Sequence, residues 1–203
     1  MIKATVIIPA FNENERINNV VEPILNLVDE IIVVDDGSAI ALAPIKGVTM
    51  IRHSLNQGKA AALKTGFLKA KNEMIITLDA DLVGLKDDHL NKLACALAGN
   101  KMAVGVFSPG LKYTNVANFL VPSISGQRAF YKKEAQDFFK SNLAKGYGVD
   151  KAMYDFYKKK DLYIKIVVLT GLSQVTKEQK LGIRNAIKMR KKMYREILKR
   201  DRF

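Results

Sequence analysis

Residues Ile75–Leu82 read IITLDADL, an apolar run that closes on two aspartates separated by one alanine. A short continuous apolar stretch bounded by polar residues reads as a buried strand. Asp79 and Asp81 then lie just past its end, where two carboxylates can turn toward one hard cation. Mg2+ and Mn2+ take oxygen ligands and commonly bridge to phosphates. Asp-x-Asp spacing by itself is common in solvated turns and helix caps. Its position behind a buried strand is what gives it weight.

Working outward, the same layout recurs. TVIIP (Thr5–Pro9) is a strand followed by Phe11-Asn12-Glu13, and EIIVV (Glu30–Val34) is a strand followed by Asp35-Asp36-Gly37-Ser38. Val48–Arg52 and Met102–Phe107 read as further strands. Between them fall helical patterns. Asn12 is placed to cap a helix carrying Ile17, Val20, Val21, Ile24 and Leu25, which Pro23 should kink or shorten. Asn56-Gln57-Gly58 opens a second helix, and Asp87 or Asp88 caps a third that runs through Ala98. Alternating strands and helices with apolar strands predict an α/β fold with a mainly parallel sheet covered on both faces. In such sheets ligands bind beyond the carboxyl ends of the strands, where three polar clusters converge.

Beyond residue 107 the pattern loosens. Gly126-Gln127-Arg128-Ala129 is read as opening a helix through Phe139, and Gly146–Asp150 as opening another. Leu162–Leu169 is a sixth strand, and Thr176 is placed to cap a long basic C-terminal helix. No repeat or linker interrupts the chain, so residues 1–203 are expected to form one domain, made of stretches 1–107 and 108–175 and the basic helix at 176–203.

The chain has 203 residues and a formal net charge of +13. From Lys177 to Phe203 there are eleven basic and three acidic residues, a net of +8. That concentration implies an anionic partner. Apolar residues at helical spacing in this tail, such as Leu181, Ile187 and Leu198, fit a helix packed on the domain, or one adsorbed to an anionic membrane. Nucleic acid is not expected, because no aromatic platform or recognition motif accompanies the charge. The single cysteine, Cys95, excludes an internal disulfide and reads as a small core residue. No apolar run approaches the roughly 18 residues that cross a bilayer, and no signal peptide is evident. The expected location is cytoplasmic, at the inner face of the membrane if the tail adsorbs.

Several activities are disfavoured by what is missing. There is no Gly-x-Gly-x-x-Gly after the first strand and no Walker loop. Lys59, beside Gly58, is either a solvated helix residue or a phosphate contact at a helix N-terminus. Asp35 or Asp36 is placed to accept hydrogen bonds from a base or ribose, the alternative being an ordinary turn. His53 and His89 are read as structural or solvated.

VIIPAFNE (Val6–Glu13), IIVVDDGS (Ile31–Ser38), NQGKAAALKTGF (Asn56–Phe67) and IITLDADL (Ile75–Leu82), in this order and spacing, resemble family 2 glycosyltransferases of the GT-A fold. SGQRAF (Ser125–Phe130), GYGVD (Gly146–Asp150) and LTGLSQVTKEQKLG (Leu169–Gly182) resemble a bacterial subgroup that includes glucosyl-3-phosphoglycerate synthases and polyprenyl-phosphate sugar transferases. The resemblance implies a Rossmann-like sheet and transfer of a sugar from a nucleotide-diphosphate donor to an anionic acceptor, with Mg2+ or Mn2+. It implies that Pro9, Phe11, Glu13 and Asp36 line the nucleoside site and that Lys59 lies near the nucleotide. Asp79 and Asp81 would be the metal pair, Asp81 the more direct ligand. Gly126, Gln127 and Arg128 would form the acceptor side.

Asp150 stands where relatives usually carry Glu, facing sugar or acceptor, and a hydroxyl acceptor would need such a base. Gln174 stands where relatives often have a metal-binding His, and could offer an amide oxygen. Ala39–Pro44 departs from the usual Asp and Thr after Asp36-Gly37-Ser38. A sugar nucleotidyltransferase is the alternative enzyme, but it would show a Gly-rich basic loop where this chain has Ala10-Phe11-Asn12-Glu13. A basic nucleic-acid- or membrane-binding module without catalysis is the alternative of another class.

Overall fold

The computed structural model describes residues 1–108, 121–141 and 148–175. The expected C-terminal helix at 176–203 lies outside them. Strands β1 (Ile2–Ala10), β2 (Val28–Asp35), β3 (Thr49–Arg52), β4 (Met74–Thr77), β6 (Met102–Phe107), β7 (Arg128–Tyr131) and β8 (Ile164–Leu169) form one sheet. Its order is β3-β2-β1-β4-β7-β6-β8. Pairings β1–β2, β1–β4, β2–β3 and β6–β8 are parallel, while β7 is antiparallel to both neighbours. β5 (Leu82–Val83) and β9 (Ser173–Gln174) make a separate antiparallel ribbon. Helices α1 (Ile17–Val21), α2 (Lys59–Lys69), α3 (Asp87–Leu97), α4 (Lys132–Lys140) and α5 (Val149–Lys159) flank the sheet.

Alternation along the strands divides the core into two layers. Val6, Ile8, Ile31 and Val33 face one apolar cluster with α1 and α3. Ile7, Ile32 and Val34 face the other, with Phe67 of α2, Phe138 of α4 and Tyr157 of α5. Burying each such side chain contributes about 2 kcal/mol, so the doubly covered central strands anchor everything at their ends. Gly66 lets α2 approach β1, since a Cβ there would overlap the side chain of Ile7.

Four expectations need correction. The segment from Gly126 does not open a helix: Arg128–Tyr131 is a strand filling the slot between β4 and β6, and the helix begins at Lys132. An unfilled slot would leave two rows of backbone groups without partners, and Ala129 and Phe130 face the opposite core layers. Asn12 caps nothing. It adopts φ +57°, its N–H donates to Ser38 Oγ (2.8 Å), and its Oδ1 accepts from Ala39 N (2.9 Å), clasping the β1 and β2 loops together. Lys86, not Asp87 or Asp88, is the residue preceding α3; both aspartates lie in its first turn. Cys95 is exposed, because α3 turns Leu90, Leu93 and Leu97 inward and position 95 falls between the last two, on the far side. Pro23 acts as expected: α1 stops at Val21 and a single 3-10 turn, Glu22–Ile24, follows. Among the described residues no helix is long and apolar enough to cross a membrane.

Candidate active site

The carboxyl ends of β1, β2 and β4 align because their registers do: Ala10 sits beside Asp35 and Ile7 beside Thr77. Phe11, Asp36 and Asp79 therefore emerge along one edge of the sheet. Phe11 is exposed. Glu13 is buried and its Oε2 accepts from Arg16 (3.2 Å). Pro9 is partly buried in β1.

Both carboxylates of the second cluster have protein partners. Asp35 accepts from Ser38 N (2.9 Å), Leu42 N (3.3 Å) and the Arg52 guanidinium. Burial pushes its carboxyl up, but the bonds from Ser38, Leu42 and Arg52 outweigh this and hold it below the usual carboxylate range. Asp36 accepts from Gly58 N (2.7 Å), Gln57 N (3.1 Å) and His53 Nδ1 (2.7 Å). His53 Nε2 lies 2.9 Å from Thr65 Oγ1 in α2. An ionised carboxylate only accepts, so Nδ1 carries the proton. The sequence reads His53 as structural or solvated, and in the structure it ties Asp36 to α2. The signal was available in the register, since Arg52 pairs with Asp35 and the next residue must meet Asp36. Gly37, at φ +72°, is required where the chain passes Leu55, because a Cβ would fall on that backbone.

The third cluster is a partly buried polar chain. Lys59 Nζ, in the first turn of α2, lies 2.7 Å from Asp79 Oδ1 and 2.7 Å from Asp150 Oδ2 in the first turn of α5. Burial disfavours the ammonium, but Asp150 and Asp79 outweigh that cost and hold it above the ordinary lysine value. The other oxygen of Asp79 accepts from Gln127 Nε2 (2.7 Å). Gly126 lies so close that a Cβ would sit 2.5 Å from both Asp79 oxygens. Its carbonyl accepts from Thr77 Oγ1 (2.8 Å), which locks that approach.

Arg128 is 1% exposed. It donates to the carbonyls of Ser125 and Ser123 (2.8 Å each). Burial lowers its affinity for a proton, against the pull of Asp150 and Asp79. Lys59, whose side chain is 23% exposed, is the more accessible of these two cations. Asp81 begins the turn into the β5–β9 ribbon. Its carbonyl accepts from Val175 N (3.0 Å), and Gln174 pairs with Leu82, so Gln174 is brought to the Asp79–Asp81 turn from the far end of the described chain. His89 is a helix-start residue: Lys86 N donates to its Nδ1 (3.1 Å) and its Nε2 donates to Thr170 O (2.9 Å).

No group of three or more His, Cys, Asp or Glu suited to a metal occurs among the described residues. The residues read from the sequence as metal ligands are Asp79, Asp81 and Gln174, and the backbone pairing of Gln174 with Leu82 brings it near the Asp79–Asp81 turn. All offer oxygen, which suits a hard divalent ion that completes its shell from a ligand's phosphates and water.

Residues 5–162 match the model of Glycosyl transferase family 2. The chain belongs to that family. Among curated relatives, this family 2 chain is 44% identical over 86 residues to an uncharacterised protein of Methanocaldococcus jannaschii, a match covering 37% of this chain and 34% of that protein. It is 34% identical over 95 residues to the undecaprenyl-phosphate 4-deoxy-4-formamido-L-arabinose transferase of Yersinia enterocolitica, covering 39% and 29% respectively. The match thus spans about a third of the length of these relatives.

Among solved structures it is similar to glucosyl-3-phosphoglycerate synthase from Mycobacterium tuberculosis in complex with Mn2+, UDP and glucosyl-3-phosphoglycerate. The TM-score is 0.76 at 21% identity, over 97% of this chain and 77% of that one. The same enzyme in complex with Mg2+ and UDP gives a TM-score of 0.72 at 22% identity, over 97% and 76%. At that identity the likeness establishes the fold, the GT-A α/β architecture.

Proposed function

We propose that this protein moves a sugar from a nucleoside-diphosphate sugar to an anionic, phosphorylated acceptor, with Mg2+ or Mn2+ as cofactor. The observation that carries the reading is the convergence of Asp36, Lys59, Asp79 and Asp150 on one edge of the sheet. Family membership supports it. So do the contents of the two mycobacterial complexes, which hold UDP with Mn2+ or Mg2+ and, with Mn2+, glucosyl-3-phosphoglycerate.

Pro9, Phe11 and Glu13 line the nucleoside side with the Asp35–Asp36 turn, and the exposed ring of Phe11 offers an apolar face to a base. Asp36 acts by fixing the start of α2, and with it Lys59. The divalent ion, when bound, offsets charge on the leaving diphosphate. Asp79 and Asp81 would hold it, Asp81 as the more direct ligand. Gln174, paired with Leu82 in the ribbon, would offer a neutral oxygen ligand. Lys59 can exchange a carboxylate partner for a phosphate oxygen.

Asp150, ion-paired to Lys59, faces the acceptor side with Gly126 and Arg128. An acceptor whose nucleophile is an ionised phosphate needs little help from a base; a hydroxyl acceptor would draw on Asp150. Polyprenyl phosphate would place the protein at the inner face of the membrane, with its basic tail in contact. A small phosphorylated metabolite would leave it in the cytoplasm.

The test is a transfer assay with UDP- and GDP-sugars and Mn2+ or Mg2+, against polyprenyl phosphate and phosphoglycerate. Activity that is lost in EDTA and in Asp81→Ala supports the reading. Full activity of Asp81→Ala overturns the metal role, and absence of any transfer or donor hydrolysis overturns the reaction.

A further inference from the structure

Gln127 was expected on the acceptor side, but it is 0% exposed and its side chain points along the sheet to the donor side. Its backbone carbonyl accepts from Gly105 N (2.8 Å), which pins it to β6. Its Oε1 lies 2.9 Å from the hydroxyl of Ser125, which is itself fully buried and shares its one proton between that oxygen and the Gly105 carbonyl. That leaves the amide nitrogen directed at Asp79 Oδ2, 2.7 Å away. The orientation follows from chemistry: an ionised carboxylate cannot donate, so the NH2 end must face it. With Lys59 on Oδ1 and the absent Cβ of Gly126 beneath, the Asp79 carboxylate is held from three directions.

We propose that Gln127 is a positioning residue for the donor complex: anchored by Ser125, it fixes the Asp79 carboxylate and so sets the affinity for nucleotide and divalent ion, without touching the acceptor. The proposal rests on the transferase reading above. Groups that orient a carboxylate beside a metal commonly change affinity or activity by about 10- to 100-fold when removed. Gln127→Leu keeps most of the volume and removes the donor. Gln127→Glu keeps the shape and sets a second acceptor against Asp79. Ser125→Ala leaves Gln127 in place but frees its carbonyl end.

The experiment measures binding of UDP and of GDP, each with Mn2+, by calorimetry, with thermal melts of each ligand-free protein and separate KM values for donor and acceptor. The expected result is a loss of about 10- to 100-fold in Mn2+-dependent nucleotide affinity for Gln127→Leu, at least as large for Gln127→Glu and smaller for Ser125→Ala. Donor KM should rise in parallel while acceptor KM stays put. If Gln127→Leu does not fold, Ser125→Ala and Gln127→Glu carry the test. Wild-type nucleotide affinity in the folded variants overturns the proposal, as does a change confined to acceptor KM. A wild-type protein that binds neither nucleotide overturns the transferase reading, and this proposal with it.

Discussion

Lys59 Nζ stands 2.7 Å from Asp150 Oδ2 although 91 positions separate them in the chain. The contact joins the first turn of α2 to the first turn of α5. The same ammonium holds Asp79. Lys59→Met would leave two poorly solvated carboxylates facing each other. Loss of one partner from such a group costs about 3 kcal/mol, or roughly 6–12 °C in a domain of this size. Melts of Lys59→Met and Lys59→Arg check this, the arginine variant recovering most of the loss.

The pH dependence of that bridge has a definite sign. The bound ammonium holds its proton more tightly than in the unfolded chain, where the ordinary value is 10.5. Its stabilisation is therefore complete below about pH 10.5 and disappears as pH rises through the higher folded value. Urea melts should show a constant difference between wild type and Lys59→Met from pH 6 to 9, narrowing only in stronger base.

Asp35 behaves in the opposite sense. Its folded value lies below the ordinary 3.8, so its contribution is present above that pH and is lost as pH falls through the folded value. Asp35→Asn weakens the bonds from Ser38, Leu42 and Arg52, at a cost of about 1–3 kcal/mol. The difference from wild type should hold between pH 5 and 8 and shrink below pH 4 in acid denaturation curves.

Gly126→Ala would push a methyl group to within 2.5 Å of both Asp79 oxygens. The carboxylate must move, breaking its bonds to Lys59 or Gln127. A loss of about 1–3 kcal/mol is expected in melts, together with loss of Mn2+-dependent nucleotide binding by calorimetry. Unchanged binding would show that Asp79 need not hold this position.

Cys95 offers an inexpensive check on the face that α3 presents. Exposed as it is, it should react with a thiol reagent in the native protein, within minutes and at a stoichiometry of about one. A cysteine packed in the core would stay silent until denaturant is added.

Much of the site was legible because it is local. Each apolar strand is followed at once by its polar cluster, so Asp36, Lys59, Asp79 and Asp81 could be placed at strand ends and a helix start from their immediate neighbours. The strand at Arg128–Tyr131 was not legible, because RAFY has no strong period of its own; the empty slot between β4 and β6 decided it. Cys95 was misplaced because a run of alanines and leucines hides which of its positions points inward. Asn12 looked like a cap because its side chain is suited to one, and the neighbouring β2 loop claimed it instead.

The sequence by itself determined the α/β class, the parallel strand–helix alternation through residue 107 and the family 2 signature. The first two rest on hydrophobic period and turn chemistry, which act over a few residues, and the third on the resemblance of its motifs in order and spacing. Only the tertiary structure decided the partners of the chemical groups. Asp36 is tied to His53, Lys59 is shared between Asp79 and Asp150, and Gln127 is turned toward Asp79. Those pairings span 17 to 91 positions. They are fixed by strand order and helix packing, which bring distant carboxylates and their counter-charges into one poorly solvated place where each must find a partner.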